Sequence, residues 1–191
     1  MGKVKRFLEK QFARFLLLVT GWQLEGEVPD LKKCIIIGAP HTSNWDFFFG
    51  FLYKMYFGLN IHFLMKHELF QFPFGMFFRA VGGIPVDRHK KNNLVETLYV
   101  KFSQAKNFYL ALSPEGTRNK VKEWKRGFYY IAKKANVPIV MAYMDYERKV
   151  VGVGQVFYPG KSIEEDMAAI KEYYGKIQAK FPEKFSFEHK V

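Results

Sequence analysis

The sequence predicts an α/β fold: a single layered domain with a mixed, largely parallel sheet flanked by helices, plus an amphipathic helix at the N-terminus. Short runs rich in β-branched and aromatic residues alternate with longer segments of helical periodicity, as expected for strands joined by helical crossovers. A chain of 191 residues is long enough for one substantial core, and an apolar content of 49% excludes a disordered chain. We divide the chain into a membrane-associating helix, residues 1–19, and a globular domain, residues 20–191.

The first predicted element is a helix over residues 3–19, which Gly21 ends. Charged residues occupy one side, and large apolar residues recur at helical spacing on the other, namely Val4, Phe7, Leu8, Phe12, Phe15, Leu16 and Val19. A basic amphipathic helix of this kind is typical of an anchor that lies in a membrane interface. The alternative is an ordinary helix whose apolar side packs on its own domain.

The remaining elements alternate along the chain. Strands are predicted at residues 22–25, 33–37, 62–65, 108–112, 139–146 and 150–157. Helices are predicted at residues 46–57, 92–105, 127–135 and 162–180. The turn residue Pro29 separates the first two strands, and Ser162 is a suitable N-cap for the last helix. Residues 69–81 are rich in Phe but contain Pro73 and Gly75, so we expect a broken helix or an apolar loop there.

The charge and aromatic content indicate an anionic partner. The chain has 30 Lys and Arg against 18 Asp and Glu, a formal net charge of +12. A strongly basic surface attracts an anionic bilayer, a nucleic acid or an acidic protein. Aromatic residues make up 18% of the chain, more than a core of this size needs, so we expect some in membrane or partner contacts. No zinc-finger or RNP-like pattern accompanies the charge, which argues against a nucleic acid.

The single cysteine, Cys34, excludes an intramolecular disulfide and fits a reducing compartment. No secretory signal is apparent, and no stretch approaches the ~18 apolar residues of a spanning helix. We therefore expect a peripheral protein at the cytoplasmic face of the cell membrane. No metal site is expected, because the histidines outside the segment discussed next are not spaced as metal ligands are. They are His62, His67, His89 and His189.

The segment HTSNWD, residues 41–46, contains a histidine and a carboxylate. Histidine suits general-base chemistry near neutral pH, and a neighbouring carboxylate fixes its tautomer and stabilises the imidazolium. On one helix the two side chains would point about 140° apart. Contact therefore requires that His41 precede a helix that has Asp46 in its first turn, and the capping residues 42–44 favour that layout. The other interpretation is a capping box between Ser43 and Asp46, with His41 as an ordinary loop residue.

The segment SPEGTR, residues 113–118, follows a predicted strand. Gly116 permits close approach of the backbone to a ligand, and Arg118 can hold a phosphate through two parallel hydrogen bonds. Arg88, which ends the segment GIPVDR at residues 83–88, is a second candidate for phosphate binding. The alternative for Arg88 is a surface ion pair.

These three segments, followed by VPIV at residues 137–140, occur in the order typical of the glycerolipid acyltransferase family, which includes 1-acylglycerol-3-phosphate acyltransferases. The chain resembles that family over about residues 20–160. An H-x-x-x-x-D motif alone often arises by chance, but four ordered segments do not. The resemblance implies that His41 is the general base and that Asp46 orients it. It also implies that the substrate is bound by Arg88, Glu115, Gly116, Thr117 and Arg118.

On this resemblance, residues 20–191 form an acyltransferase domain. The expected reaction moves a fatty acyl group from acyl-CoA or acyl carrier protein to the hydroxyl of a lysophospholipid-type acceptor, with lysophosphatidic acid as the first choice. No cofactor is expected beyond the acyl donor. The Phe-rich residues 47–57 and 69–81 form the acyl groove, enter lipid or simply pack in the core. The alternatives are an acyltransferase for a non-phosphate lysolipid such as an acylated amino acid, a thioester hydrolase, and a non-catalytic basic protein that binds lipid or nucleic acid.

Overall fold

A computed structural model describes residues 2–86, 94–160 and 162–185. The helices of this part of the chain are α1 (Lys3–Thr20), α2 (Asn44–Phe57), α3 (Gly75–Ala80), α4 (Leu94–Gln104), α5 (Gly127–Ala135) and α6 (Ile163–Tyr174). Its strands are β1 (Gln23–Glu25), β2 (Lys33–Gly38), β3 (Ile61–Lys66), β4 (Gly83–Val86), β5 (Phe108–Leu112), β6 (Ile139–Asp145) and β7 (Val150–Phe157). Short 3₁₀ turns lie at His67–Phe70 and Pro182–Lys184.

The described strands form one seven-stranded sheet in the order β1-β7-β6-β2-β5-β3-β4. Neighbouring strands are parallel, except that β6 and β7 pair antiparallel through a tight turn. In that turn, Asp145 Oδ1 accepts hydrogen bonds from the backbone N–H groups of Glu147 and Arg148. The predicted α/β fold with a mixed, largely parallel sheet is therefore confirmed.

Helices cover both faces of the sheet, and β2 shows how the sequence sorts them. Successive side chains of a strand point to opposite faces, so Ile35 and Ile37 enter one core and Cys34 and Ile36 enter the other. The first core packs against α4, α5 and α6, and the second packs against α1 and α2. Because both faces are buried, β2 reads as a continuous apolar run. Its carboxyl end leads directly into the HTSNWD segment.

Helix α1 has one buried side and one exposed apolar side. Its inner side buries Ala13 and Leu17 against the domain, and Leu16 is half-buried there. Its other side leaves seven large apolar side chains more than half exposed, namely Val4, Phe7, Leu8, Phe12, Phe15, Leu18 and Val19. Gly21 ends the helix in the left-handed conformation, as the sequence predicts. The helix thus packs on its own domain and still presents an apolar face to the surroundings.

Two elements differ from the sequence prediction. Strand β4 was not predicted, because it is short and contains Gly83 and Pro85. It lies at the edge of the sheet that the described residues form, and an edge strand tolerates a proline because only one of its sides pairs there. The last helix ends at Tyr174 rather than near residue 180, because Gly175 follows it and the chain then turns back towards the sheet. Residues 69–81 contain the end of the 3₁₀ turn His67–Phe70 and the short helix α3, which matches the predicted broken helix.

Within the described residues, no helix combines the length and the apolar character needed to cross a bilayer.

Candidate active site

The loop between β2 and α2 carries the first pair of predicted site residues. His41 precedes α2, Ser43 is the N-cap, and Asp46 occupies the third helical position. Ser43 and Asp46 form a capping box, with the backbone N–H of Ser43 donating to Asp46 Oδ2 at 2.8 Å. This is the layout that contact between His41 and Asp46 requires. The predicted capping box is present as well, because one carboxylate bonds both the helix end and the histidine.

The imidazole of His41 and the carboxylate of Asp46 are in direct contact. His41 Nδ1 lies 3.1 Å from Asp46 Oδ2, which also accepts a hydrogen bond from the backbone N–H of Thr42 at 2.9 Å. A carboxylate can only accept, so Nδ1 carries the proton and donates it. The Nε2 lone pair is then free to act as a base. The Asp46 side chain is 1% exposed and that of His41 is 26% exposed, so the pair faces solvent only through the imidazole.

Tyr146 completes the surroundings of Asp46 and was missed by the sequence analysis. Its hydroxyl donates to Asp46 Oδ1 at 2.7 Å, although 100 positions separate the two residues. Burial, followed by the hydrogen bond to Asp46 and its negative charge, raises the pKa of Tyr146 well above its usual range. The phenol therefore stays protonated as a donor. Trp22 packs edge-on against the Tyr146 ring and stacks on Phe49, which fixes the position of the phenol.

Glu115 connects the second predicted segment to the first. Its Oε1 accepts a hydrogen bond of 2.8 Å from the backbone N–H of His41, and the residue is 1% exposed. Burial, and to a smaller extent the charge of Asp46, raises the pKa of Glu115 to about 8, against the lowering effect of the His41 hydrogen bond. The side chain is therefore mostly protonated at neutral pH. Its position makes it a support of the His41 loop, and its predicted role in acceptor binding stays a prediction.

The rest of the SPEGTR segment forms a tight turn beside the His41 loop. The N–H of Gly116 donates to the carbonyl of Ser113, and Gly116 adopts a φ of +66°, which favours glycine. Thr117 is half-buried, and its hydroxyl accepts from the backbone N–H of Asn119. Arg118 is exposed and reaches the cleft described next. Within this segment, Ser113 Oγ and Glu115 Oε2 are buried without a hydrogen-bond partner among the described residues.

A cleft of about 480 Å³ opens at the residues that lie between His41 and Asp46 in the sequence. One wall is the loop and first turn of α2, residues 42–45, and Arg118 and Asn119 line another. Arg88, the second predicted phosphate ligand, lies outside the described residues, so its role stays a prediction. In the part of the chain that the structure describes, no three His, Cys, Asp or Glu side chains cluster as a metal ion requires.

Comparison with known proteins bears on the family and the fold. A family model described as Acyltransferase matches residues 23–145, which contain His41, Asp46 and the SPEGTR segment. The fold is similar to the crystal structure of the 1-acyl-sn-glycerophosphate (LPA) acyltransferase PlsC from Thermotoga maritima. The TM-score is 0.63 and the sequence identity 18%, over 88% of this chain and 76% of that chain. No curated protein matches the sequence. At this identity, the structural likeness supports the fold.

Proposed function

Because the chain belongs to the acyltransferase family, we propose that it transfers a fatty acyl group from a thioester donor to the hydroxyl of a lysophospholipid, with lysophosphatidic acid as the preferred acceptor. The observation that carries this proposal is the contact between His41 and Asp46 beside a cleft that Arg118 lines. A base that activates a hydroxyl and a cation that holds a phosphate are the two groups that this reaction needs. The donor is acyl-CoA or acyl carrier protein.

The proposed chemistry uses His41 alone as the proton carrier. Nε2 removes the proton from the acceptor hydroxyl as its oxygen attacks the thioester carbonyl, and Asp46 stabilises the resulting imidazolium. The tetrahedral intermediate then collapses, the carbon–sulfur bond breaks, and the imidazolium returns the proton to the departing thiolate. The products are a new ester and a free thiol. Atoms and charge balance without a covalent intermediate on the protein.

The acceptor's phosphate is proposed to bind on the side of the SPEGTR turn. Arg118 is exposed at the cleft and can form charge-assisted hydrogen bonds with phosphate oxygens. Gly116 and Thr117 belong to the same turn. Gly116 permits its φ of +66°, with the Lys125 side chain beside its Cα, and the Thr117 hydroxyl offers a donor to the ligand. Arg88 and Glu115 complete the proposed set on the family resemblance alone.

Membrane association is proposed through the exposed face of α1. Its seven exposed apolar side chains form one side of the helix, opposite the buried Ala13 and Leu17. Water-exposed Phe and Leu side chains on a basic helix gain free energy by entering a bilayer interface, about 1.5–3 kcal/mol for each one fully buried. The flanking lysines favour an anionic surface. We therefore propose a peripheral location on the cytoplasmic face of the membrane.

The loop between β3 and β4 adds a second apolar surface. Five of its side chains are more than two-fifths exposed, namely Leu69, Phe72, Phe74, Met76 and Phe77, and Phe72 is 98% exposed. In contrast, Phe49 of α2 is buried in the core. Of the roles that the sequence left open for residues 69–81, exposure on this scale favours entry into lipid.

The reaction is tested with purified protein, a panel of lysolipids in vesicles, and either acyl-CoA or acyl carrier protein as donor. Mass spectrometry should detect diacyl products, with lysophosphatidic acid giving the fastest turnover. The variant His41→Ala should lose product formation while its unfolding temperature stays near that of the wild type. A His41→Ala variant with near wild-type turnover would contradict the assignment of the base. Free fatty acid in place of acylated lipid would identify a thioester hydrolase, and preference for an acylated amino acid would identify the non-phosphate alternative.

Membrane binding is tested by point substitution rather than by deleting residues 1–19, because deletion also removes Ala13 and Leu17 from the core. The double variant Phe7→Asp, Phe15→Asp changes only exposed side chains and should bind phosphatidylglycerol vesicles at least about 100-fold more weakly. The control is Tyr130→Asp, an exposed aromatic on α5 at the other face of the sheet. Unchanged vesicle binding by the double variant would contradict the anchor.

A further inference from the structure

The cleft at residues 42–45 has a third wall, made by the segment after α6. Lys180, Phe181 and Lys184 line the cleft together with Arg118 and residues 42–45. Both lysines lie outside the region that the family model matches, residues 23–145. The family match therefore gives them no role, and their place at the cleft is seen in the structure alone.

Hydrogen bonds hold this segment against the catalytic loop. The backbone N–H of Tyr146 donates to the carbonyl of Gln178 at 2.9 Å, and the N–H of Phe181 donates to Thr42 Oγ1 at 3.3 Å. Further along, Phe185 is buried and its ring faces Trp124. The segment can take this path because α6 ends at Tyr174. The backbone that carries the two lysines is thus fixed relative to His41.

Aromatic rings position the two ammonium groups. Lys180 Nζ lies 5.2 Å from the ring centroid of Trp45, 5.7 Å from that of Tyr146 and 5.9 Å from that of Phe181. Lys184 Nζ lies 4.6 Å from the Phe181 centroid. Cation–π attraction and packing of the aliphatic stems keep both half-buried side chains at the cleft rather than extended into solvent.

In the part of the chain that the structure describes, these three cations form no ion pair, whereas some others do. Arg126 pairs with Glu164, for example, and Arg148 pairs with Glu25. Among the described residues, no carboxylate lies within 4.0 Å of Arg118, Lys180 or Lys184. Three like charges around one cleft repel each other, and an anion bound between them removes that repulsion. The cleft is therefore set up electrostatically for an anion.

We propose that Lys180 and Lys184, together with Arg118, form a phosphate-binding subsite that holds a phosphate group of one substrate while that substrate reacts at His41. The assignment of a substrate rests on the proposed acyltransferase reaction. A phosphate monoester suits the site because it offers several oxygens and up to two negative charges to three separate donors. Two sources are possible, the phosphate of the acceptor lipid and the phosphates of a coenzyme A or phosphopantetheine donor.

Binding is measured first without any acyl transfer. The unfolding temperature of the full chain is followed against inorganic phosphate, glycerol 3-phosphate as the acceptor fragment, and adenosine 3′,5′-bisphosphate as the donor fragment. At least one of the three should stabilise the wild type. Lys180→Gln and Lys184→Gln should each weaken that binding roughly fivefold, and the double variant should weaken it about 25-fold. Lys106→Gln, the same change at the amino end of β5, should leave it unchanged.

Two further measurements keep the test specific. Lys180→Arg keeps the charge and should restore binding, whereas a purely structural role for the lysine stem would give Lys180→Arg and Lys180→Gln similar effects and would overturn the proposal. Stabilisation by glycerol 3-phosphate, with a raised KM for the lysolipid in the double variant, assigns the acceptor. Stabilisation by the bisphosphate, with a raised KM for acyl-CoA, assigns the donor.

The outcomes separate this inference from the proposed function. If none of the three anions stabilises the protein, or if the lysine variants bind them as the wild type does, the subsite is wrong even where acyl transfer is observed. If the wild type binds the anions and the lysine variants bind them more weakly, but no acyl product forms with any acceptor, the subsite stands and the proposed reaction is wrong.

Discussion

The charge of Asp46, rather than its shape, is predicted to accelerate the reaction, and Asp46→Asn separates the two. In the wild type, Asp46 Oδ2 accepts from His41 Nδ1 and from the backbone N–H groups of Thr42 and Ser43. An amide oxygen at the Oδ2 position can accept all three hydrogen bonds. Its NH₂ group would then face Tyr146, whose hydroxyl can turn and accept. The substitution therefore removes the negative charge and preserves the local geometry.

The size of the effect follows from the distance. An imidazolium and a carboxylate whose nearest atoms are 3.1 Å apart attract each other by on the order of 5 kcal/mol at an effective dielectric constant of about 20. Because the His41 side chain is 26% exposed, water screens part of this attraction, and the value is an upper bound. At 1.36 kcal/mol for each factor of ten in rate, we expect kcat to fall by between about 10²- and 10⁴-fold.

The assay compares kcat for diacyl product formation with the unfolding temperature of the same preparation. Asp145→Asn is the matched control, because Asp145 is also a buried aspartate that accepts from two backbone N–H groups, those of Glu147 and Arg148. The control should lose stability to a similar extent and keep most of its turnover. An Asp46→Asn enzyme that stays folded and retains turnover within tenfold of the wild type would refute the electrostatic role.

Three further predictions concern the support of this pair. Tyr146→Phe removes the hydroxyl that donates a 2.7 Å hydrogen bond to Asp46. We expect the free energy of unfolding in urea to fall by about 1.5–3 kcal/mol and kcat to fall roughly tenfold. If neither quantity changed, the role of the phenol would be contradicted. Between pH 4.5 and about 8, the native state keeps a proton on Glu115 that the unfolded state releases. The free energy of unfolding of the wild type should therefore fall as the pH rises, by up to about 1.4 kcal/mol per pH unit. In Glu115→Gln, the free energy of unfolding measured in urea should depend less on pH over this range. Gly116→Ala combines a φ of +66° with a new Cβ that would press on the Lys125 side chain, so it should cost at least about 1–2 kcal/mol of stability. Gly127→Ala, where a Cβ meets open space, should not; equal unfolding temperatures would contradict this argument.

Elements with a strong local pattern were predictable. Strand β2 is a continuous apolar run because both of its faces are buried, and α5 is bounded by the residues at which the sequence places its ends, Gly127 and Ala135. Strand β4 has no such pattern: its four residues include a glycine and a proline, and only pairing with β3 makes it a strand. The end of α6 depends on Gly175, whose low helix propensity outweighs the apolar periodicity that continues after it.

The candidate site was predictable where its residues are close in sequence. His41 and Asp46 are five positions apart, and the capping residues between them determine the local geometry. Tyr146 gave no signal, because its contact with Asp46 arises only when β6 and β2 become neighbours in the sheet. Lys180 gave none either, since its place at the cleft depends on the tertiary path of the chain after α6.

In the HTSNWD segment, the helix cap and the proposed catalytic pair are one arrangement. Asp46 can hold His41 in one tautomer because two backbone N–H groups already fix the carboxylate at the start of α2 and Tyr146 fixes its other oxygen. A carboxylate with four donors has little freedom to reorient, so the imidazole needs no further partner to be positioned. The helix cap therefore prepares the geometry before substrate arrives, and a substitution that disturbs the cap must lower activity and stability together. That coupling is why a change of charge alone, with the cap intact, is the informative experiment on this site.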